Sequence, residues 1–207
     1  MISQSEFSAN AQFFNCTKSE SSTIGILCGS FNPIHKGHLA ILHSYRKGIH
    51  ERRVYLELTT KNCESSKNVY SIDDKLNSLY LLGHSIIVTN VPNFALKSSL
   101  IVNAKEIFGE SYIPYKTIHF LVGIDTVERI NDLKYYRDSI HQFQYEMELL
   151  TYNNANFIVF PRSGKTLANL ELLEELTKLC KLPHEVGCNY TPLDISSTQI
   201  RESMNGK

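Results

Sequence analysis

The chain has 207 residues, of which 42% are apolar and 20% are charged, and its 21 basic residues balance its 21 acidic residues. At about 150 residues per domain the length predicts one domain, and the apolar fraction is sufficient for a core without disulfides or a structural metal. The neutral balance argues against a nucleic-acid-binding protein. No apolar run approaches the roughly 18 residues that a membrane span needs, so a soluble globular protein is expected.

Residues 1–22 are polar and contain Glu6 and Glu20, and they lack the pattern of a signal or transit peptide. We expect them to form a flexible leader, followed by a single domain over residues 23–207. The widely spaced cysteines form no C-x-x-C pair, which indicates reduced thiols and a cytoplasmic or nuclear location.

From Thr23 onward, short apolar runs alternate with longer amphipathic stretches. The apolar runs predict strands over residues 23–29, 53–59, 85–89, 117–123 and 156–160. The amphipathic stretches predict helices over residues 36–48, from about 71, over 96–108, over 166–182 and from about 197. This alternation predicts an α/β fold, an open parallel sheet of about five to six strands with helices on both faces. Ligands of such sheets bind at the carboxyl ends of the strands, near a topological switch point.

The segment Gly29-Ser-Phe-Asn-Pro-Ile-His-Lys-Gly-His38 links the first predicted strand to the first predicted helix. Gly29 permits close backbone approach, and the free N–H groups of a helix start attract an anion, so the segment has the character of a phosphate cradle. His35 and His38 can face one bound group, although histidines in purely structural roles remain an alternative. A zinc site that adds His43 is weaker, because no cysteine or acid lies at ligand spacing nearby.

This segment matches G-x-F-x-P-x-H-x-G-H throughout and resembles the signature of the HxGH nucleotidylyltransferases, in particular the nicotinamide/nicotinate mononucleotide adenylyltransferase family. The segment Asp194-Ile-Ser-Ser-Thr-Gln-Ile-Arg201 resembles the I-S-S-T-x-I-R motif of that family, with an ordinary capped helix as the alternative. Val122-Gly-Ile-Asp-Thr-Val-Glu128 resembles the family's G-x-D segment, and residues 155–164 resemble its turn after strand five. The resemblance implies a Rossmann-like nucleotidylyltransferase fold.

The resemblance also implies the site residues. The expected catalytic residues are His35, His38 and Arg201. Binding of ATP is expected from the three motifs, at Gly29, Ser30, Phe31, His38, Gly123, Asp125, Ser197, Thr198 and Arg201. Binding of the mononucleotide is expected at Ser30, Phe31, Lys67, Tyr135, Tyr136 and Arg162.

Several of these assignments have structural alternatives. Asp125 is also a plausible helix N-cap, and Lys67 and Arg162 are also plausible solvated loop charges. Many family members place a tryptophan after the G-x-D helix, whereas this chain has none. Tyr135 or Tyr136 is therefore expected to stack on the pyridine ring, with a packed core aromatic as the alternative.

The implied reaction is transfer of AMP from ATP to nicotinamide mononucleotide, with nicotinate mononucleotide as a further acceptor. The acceptor's phosphate is itself the nucleophile, so catalysis rests on alignment and charge neutralisation rather than on a general base. Mg²⁺ is expected as a cofactor bound through the ATP phosphates. The alternatives are phosphopantetheine, FMN or a phosphoalcohol as acceptor, hydrolysis in the same pocket, and a nucleotide-binding relative without turnover. No nucleic acid or membrane partner is expected, and a homo-oligomer is left open.

Overall fold

The computed structural model describes residues 11–15, 22–48, 53–60, 70–103, 117–193, 195 and 197–205. Within these residues, seven strands form one sheet in the order β1-β4-β3-β2-β5-β6-β7. Neighbouring strands are parallel, except that β1 pairs antiparallel with β4. The strands are β1 (Ala11–Phe14), β2 (Thr23–Gly29), β3 (Arg53–Thr59), β4 (Ser85–Thr89), β5 (Thr117–Gly123), β6 (Ala155–Phe160) and β7 (Cys180–Lys181).

Helices cover both faces of this sheet. They are α1 (Lys36–Gly48), α2 (Ile72–Leu81), α3 (Phe94–Asn103), α4 (Ile124–Ile130), α5 (Ile140–Tyr152), α6 (Glu174–Leu179) and α7 (Ser197–Asn205). The face that carries Ile26 and Phe120 packs against α3, α4, α5 and α6. The opposite face, which carries Leu27 and Leu121, packs against α1 and α2. Parallel strands buried on both faces need continuous apolar runs, which is the pattern that identified β2 to β6 in the sequence.

The topological switch point lies between β2 and β5. From β2 the chain passes through α1 to β3 on one side, whereas β5 lies on the other side of β2. The carboxyl ends of these two strands are Gly29 and Gly123. The two motifs predicted to contact ATP therefore begin side by side, where ligands of such sheets bind.

The predicted α/β class with helices on both faces is confirmed, and several elements differ from the sequence prediction. Residues 11–14 of the predicted leader form β1, which pairs with β4. This strand has apolar side chains on both of its sides, because Phe13 packs against one core cluster and Phe14 against the other. With β1 at this edge and β7 at the other, the sheet has seven strands, whereas five to six were predicted.

The predicted helix over residues 166–182 is wrong for most of its length. Only Glu174–Leu179 is α-helical; Leu167–Asn169 forms a 3-10 turn, and β7 pairs with β6. Conversely, α5 was not predicted, although Phe143, Met147 and Leu150 place an apolar stripe on one of its faces. Helix α3 begins at Phe94, and residues 104–108 of its predicted extent lie outside the described residues. Among the described residues, no helix is long and apolar enough to cross a membrane.

Candidate active site

The loop after β2 forms a tight cradle at the switch point. Phe31 has a positive φ of 41° and is 2% exposed, so its ring supports the cradle from within and is not available to stack on a substrate. A Cβ at Gly29 would lie 3.0 Å from the Phe31 ring, which explains why glycine stands there. Ser30, between these two residues, is exposed. We refer to residues 29–38 as the cradle.

His35 and His38 lie together at the start of α1. Their rings stack with centroids 3.9 Å apart and an interplanar angle of 28°. The backbone N–H of His35 donates to Nδ1 of His38 at 3.3 Å, and the N–H of Gly37 donates to Nδ1 of His35 at 3.1 Å. A ring nitrogen that accepts a hydrogen bond carries no proton, so the proton of each neutral ring is assigned to Nε2. Each histidine therefore presents an Nε2–H donor, and within the described residues neither Nε2 has a hydrogen-bond partner.

Both histidines are uncharged at neutral pH. Burial lowers the pKa of His38 to about 3, with a smaller contribution from neighbouring His35. The pKa of His35 is lowered by burial and then by the positive charge of Arg162. The pair consequently offers N–H dipoles rather than net positive charge. His43, the third member of the zinc alternative, is exposed further along α1, and the described residues contain no group of three or more metal-ligating side chains.

Helix α7 docks on the cradle through Arg201. Its Nη1 donates to the backbone carbonyl of Asn32 at 2.7 Å, so the structure joins two motifs that are far apart in sequence. A second contact lies just before the helix, where a Cβ at Gly37 would come within 3.1 Å of Cγ2 of Ile195. Ser197 and Thr198 form the first turn of α7, as predicted. Lys67 lies outside the described residues.

Two other predicted site residues pair with each other. Gly123 ends β5 and precedes α4, whose first turn contains Asp125. Nη1 of Arg162 lies 2.8 Å from Oδ2 of Asp125, and Nη2 of Arg162 donates to the carbonyl of Ile195 at 3.4 Å. Lys165 adds a 2.7 Å contact to Glu128 and a 3.9 Å contact to Asp125. We call these four side chains, Asp125, Glu128, Arg162 and Lys165, the exposed charge cluster.

The two candidate stacking tyrosines have opposite environments. The Tyr136 side chain is 7% exposed and packs edge-to-face on Phe143, with ring centroids 5.1 Å apart. Burial also raises its pKa. The structure thus corrects the assignment of Tyr136 to the mononucleotide, since a core side chain has no face to offer. Tyr135 is 38% exposed, with Nζ of Lys134 at 4.9 Å from its ring centroid, so it is the tyrosine of this pair that a ligand ring can reach.

Two charged residues without a predicted role, Glu57 and Lys97, are buried beneath the site. Glu57 is the single charge of the buried run Val54-Tyr-Leu-Glu-Leu58 in β3, and Lys97 is the single charge of Phe94-Ala-Leu-Lys-Ser-Ser-Leu-Ile-Val-Asn103 in α3. A single charge within a buried run is the signal that would have found them, because such a charge needs a partner.

A comparison with protein families shows which family the chain belongs to. The model of the cytidylyltransferase-like family matches residues 26–203. The chain belongs to this family. The resemblance to nucleotidylyltransferases is thereby confirmed, and this cytidylyltransferase-like protein is a nucleotidyltransferase.

Its relatives carry a more specific name. It is 27% identical over 196 residues to a probable nicotinate-nucleotide adenylyltransferase of Coprothermobacter proteolyticus, which covers 88% of this chain and 83% of the relative. A protein of the same name from Buchnera aphidicola is 23% identical over 191 residues, or 86% of this chain and 84% of the relative. Among solved structures, it is similar to Plasmodium falciparum nicotinic acid mononucleotide adenylyltransferase complexed with NaAD, at a TM-score of 0.49 and 17% identity over 87% of this chain and 82% of that chain.

Proposed function

We propose that this nucleotidyltransferase transfers AMP from ATP to a pyridine mononucleotide, forming a dinucleotide and pyrophosphate. The observation that carries the proposal is the stacked pair of neutral histidines in the cradle, each with an Nε2–H donor, at the switch point of the sheet. The names of the relatives support a pyridine acceptor. These names favour nicotinate mononucleotide as the acceptor, whereas the sequence motifs led us to expect nicotinamide mononucleotide as the main acceptor.

The reaction forms one bond and breaks another at the α-phosphorus of ATP. A phosphate oxygen of the mononucleotide attacks this phosphorus, and the bond to the oxygen that bridges to the β-phosphorus breaks as pyrophosphate leaves. Negative charge accumulates on the α-phosphate oxygens in the transition state. Donors held in place before the reaction stabilise that charge without reorganisation, which is the role we assign to Nε2–H of His38 and of His35.

The remaining predicted contacts have distinct roles in this proposal. Arg201, with Ser197 and Thr198, holds the outer phosphates of ATP while its guanidinium supports the cradle; an arginine can do both because it carries five N–H donors. Asp125 binds the ribose of ATP, and Arg162 binds the phosphate of the mononucleotide. Tyr135 stacks on the pyridine ring, which discriminates little between an amide and a carboxylate substituent.

Mg²⁺ is the cofactor that we expect to enter with ATP. The described part of the site fits an ion bound through phosphate oxygens and water, because the cradle contributes histidine donors, α7 contributes Arg201, and Asp125 is paired with Arg162. When bound, Mg²⁺ neutralises charge on the departing pyrophosphate. Holding and aligning the two nucleotides remains the task of the chain's own residues.

The test measures pyrophosphate release with ATP, Mg²⁺ and a panel of acceptors, with product identification by chromatography. We expect both pyridine mononucleotides to form dinucleotides, with kcat/KM values within about a hundredfold of each other, or about 2.7 kcal/mol. An incubation without acceptor measures ATP hydrolysis. If phosphopantetheine, FMN or a phosphoalcohol reacts while neither pyridine mononucleotide does, the acceptor assignment is wrong. Absence of release with every acceptor would instead favour a binding protein without turnover.

A further inference from the structure

A carboxylate and an ammonium group are buried together beneath the carboxyl ends of β2, β3 and β4. Glu57 is 0% exposed and the Lys97 side chain is 5% exposed, and Nζ of Lys97 lies 2.8 Å from Oε2 of Glu57. Oε1 of Glu57 accepts hydrogen bonds from the hydroxyls of Thr59 at 2.7 Å and Thr89 at 2.6 Å. Lys97 also donates to Oγ1 of Thr59 at 2.7 Å. Together with Cys28, the register partner of Glu57 in β2, these residues form what we call the buried charge cluster.

The cluster joins the last residues of three adjacent strands. Cys28 is the register partner of Glu57, and Thr59 is the partner of Thr89. Cys28 and Glu57 therefore lie side by side on one face of the sheet, and burial is the main cause that raises the pKa of the Cys28 thiol, so the thiol remains protonated. The N–H of Thr60 continues the connection with a 2.8 Å bond to the carbonyl of Thr89. One carboxylate thus links β3 to β4 and, through Lys97, to α3, and it lies beside Cys28 at the end of β2.

Cluster residues replace apolar side chains only at the site end of these strands. On the same sheet face, two residues earlier in each strand, stand Ile26, Tyr55 and Ile87, which belong to the apolar core. A buried ion pair is a weak source of stability, because desolvation offsets the attraction and apolar residues of similar volume are often as good. Stability alone therefore gives no reason for two charges at this place. Glu57 lies beside Cys28, the residue that precedes Gly29 of the cradle, and this position gives one.

We propose that Glu57 and Lys97 are positioning residues for nucleotidyl transfer, which hold the end of β2, and with it the cradle that carries the histidines, against the ends of β3 and β4. They act through Cys28 and Gly29 and do not touch substrate, since both side chains are buried. In-line transfer is sensitive to alignment, and a displacement of about 1 Å can lower a rate about a hundredfold. The proposal rests on the proposed function, because its test needs the acceptor.

The test compares the double variant Glu57→Leu/Lys97→Met with the wild-type protein. This variant removes both charges and the hydrogen bonds to the carboxylate while it keeps apolar volume, so neither charge is left buried alone. We expect a urea midpoint close to that of the wild type and an ATP Kd within about threefold. We expect kcat to fall by about tenfold or more, because the cradle is no longer aligned. A folded variant with an unchanged kcat would overturn the proposal.

The Tyr45→Phe variant is the matched control. It removes a buried hydrogen bond between the Tyr45 hydroxyl and Nδ1 of His119, 2.7 Å long, on the opposite face of the same sheet and away from the strand ends. We expect this variant to lose stability and to keep the wild-type kcat. A loss of kcat as large as that of the double variant would show that kcat reports general destabilisation, and this outcome also counts against the proposal.

A second variant keeps the proposal testable if the double variant does not fold. Thr89→Val removes only the hydroxyl that donates to Glu57. We expect kcat to fall by about threefold, which corresponds to the net free energy of a single hydrogen bond. An unchanged kcat in this folded variant would also overturn the proposal. The proposed function fails by a different result, in which the wild-type protein itself forms no dinucleotide from either pyridine mononucleotide. The same variants are then compared on the acceptor with which the wild type releases pyrophosphate.

Discussion

Two ion pairs lie on either side of the cradle. Their nitrogen–oxygen distances are equal, but their different exposure to water gives them different properties. In each, the nitrogen and oxygen lie 2.8 Å apart. The side chains of Lys97 and Glu57 are 5% and 0% exposed, whereas those of Arg162 and Asp125 are 40% and 42% exposed. Opening the buried pair leaves two charges without water, which is strongly unfavourable, whereas opening the exposed pair costs at most about 1 kcal/mol. A short distance alone therefore does not show what an ion pair does.

The difference divides the site into two sides. On the fixed side the charged side chains stay paired, and on the exchangeable side a substrate group can replace one partner of the pair. On the β3 and β4 side, the buried charge cluster is suited to hold strand ends in place. On the β5 and β6 side, Asp125 and Arg162 are bound to one another in the structure, yet both are proposed to bind substrate. Because their pair is weak in water, a ribose hydroxyl or a phosphate can replace either partner at little cost. The two pairs are therefore expected to respond differently to the same kind of substitution.

The largest expected difference is in stability. Glu57→Gln leaves Lys97 as an uncompensated buried charge, so we expect the free energy of unfolding to fall by about 3–5 kcal/mol. The matched change in the exposed pair, Asp125→Asn, is expected to alter it by less than about 1 kcal/mol. Urea denaturation of both variants measures the two effects. Equal losses would contradict the distinction between the pairs.

The cradle between the two pairs is expected to affect rate more than binding. His38→Ala removes a donor directed at charge that develops in the transition state, so kcat is expected to fall by about a hundredfold, or about 2.7 kcal/mol. The Kd for ATP is expected to stay within a few-fold. His43→Ala, which removes an exposed histidine further along α1, is the control and is expected to leave both constants unchanged. Parallel losses of binding and rate in His38→Ala would indicate a structural histidine.

Arg201→Ala tests whether α7 is part of the exchangeable side of the site, that is, whether Arg201 binds ATP in addition to the Asn32 carbonyl. In the proposed function its guanidinium contacts the outer phosphates of ATP, and a charge-assisted hydrogen bond contributes about 1.5–3 kcal/mol. We expect the variant to weaken ATP by this amount and to weaken AMP, which lacks those phosphates, far less. Calorimetric titration with both nucleotides makes the comparison. Equal weakening would mean that Arg201 acts only by holding the cradle through the Asn32 carbonyl.

The parts of the molecule that the sequence predicts well are those determined by local pattern. The predicted spans of β2 to β5 agree with the structure, because each is an apolar run bounded by polar or glycine-containing segments. The leucine-rich stretch at 166–182 is typical of a helix, but its leucines pack against the sheet from a 3-10 turn, an irregular segment and a short helix. Helical spacing alone does not distinguish these arrangements.

The site shows the same limit. The residues of the cradle are contiguous in sequence, and so are those of the motif that contains Arg201, so both segments could be recognised from the sequence. The partnership of Glu57 with Lys97, which are 40 residues apart, depends on how α3 crosses the sheet, and no local pattern contains it. Adjacent tyrosines pose a similar problem, because the pattern around Tyr135 and Tyr136 does not show which one is turned into the core.

The neutral state of His38 predicts a pH dependence of stability. Its pKa is about 3 in the folded protein, against an ordinary value of 6.5. Above pH 6.5 the His38 imidazole is neutral in both the folded and the unfolded protein, so it does not make stability depend on pH. Between pH 6.5 and 3 only the unfolded protein binds the proton. The free energy of unfolding therefore falls as the pH is lowered through this window, by at most about 1.4 kcal/mol per pH unit. Urea denaturation at several pH values should show a shallower slope for His38→Gln, and parallel slopes would contradict the assignment.

The smallest expected effect is the coupling within the exposed pair itself. A double-mutant cycle of Asp125→Asn and Arg162→Gln, read by urea denaturation, is expected to give a coupling of about 0–1 kcal/mol that decreases as salt is added. Removing the charge of Arg162 should also raise the pKa of His35, because that charge contributes to its lowering, and NMR titration of the imidazole measures this shift. A coupling well above this range, or one insensitive to salt, would mean that Asp125 and Arg162 are held as firmly as Glu57 and Lys97. Arg162 would then be unavailable to a phosphate, and the acceptor's phosphate would need a different cation.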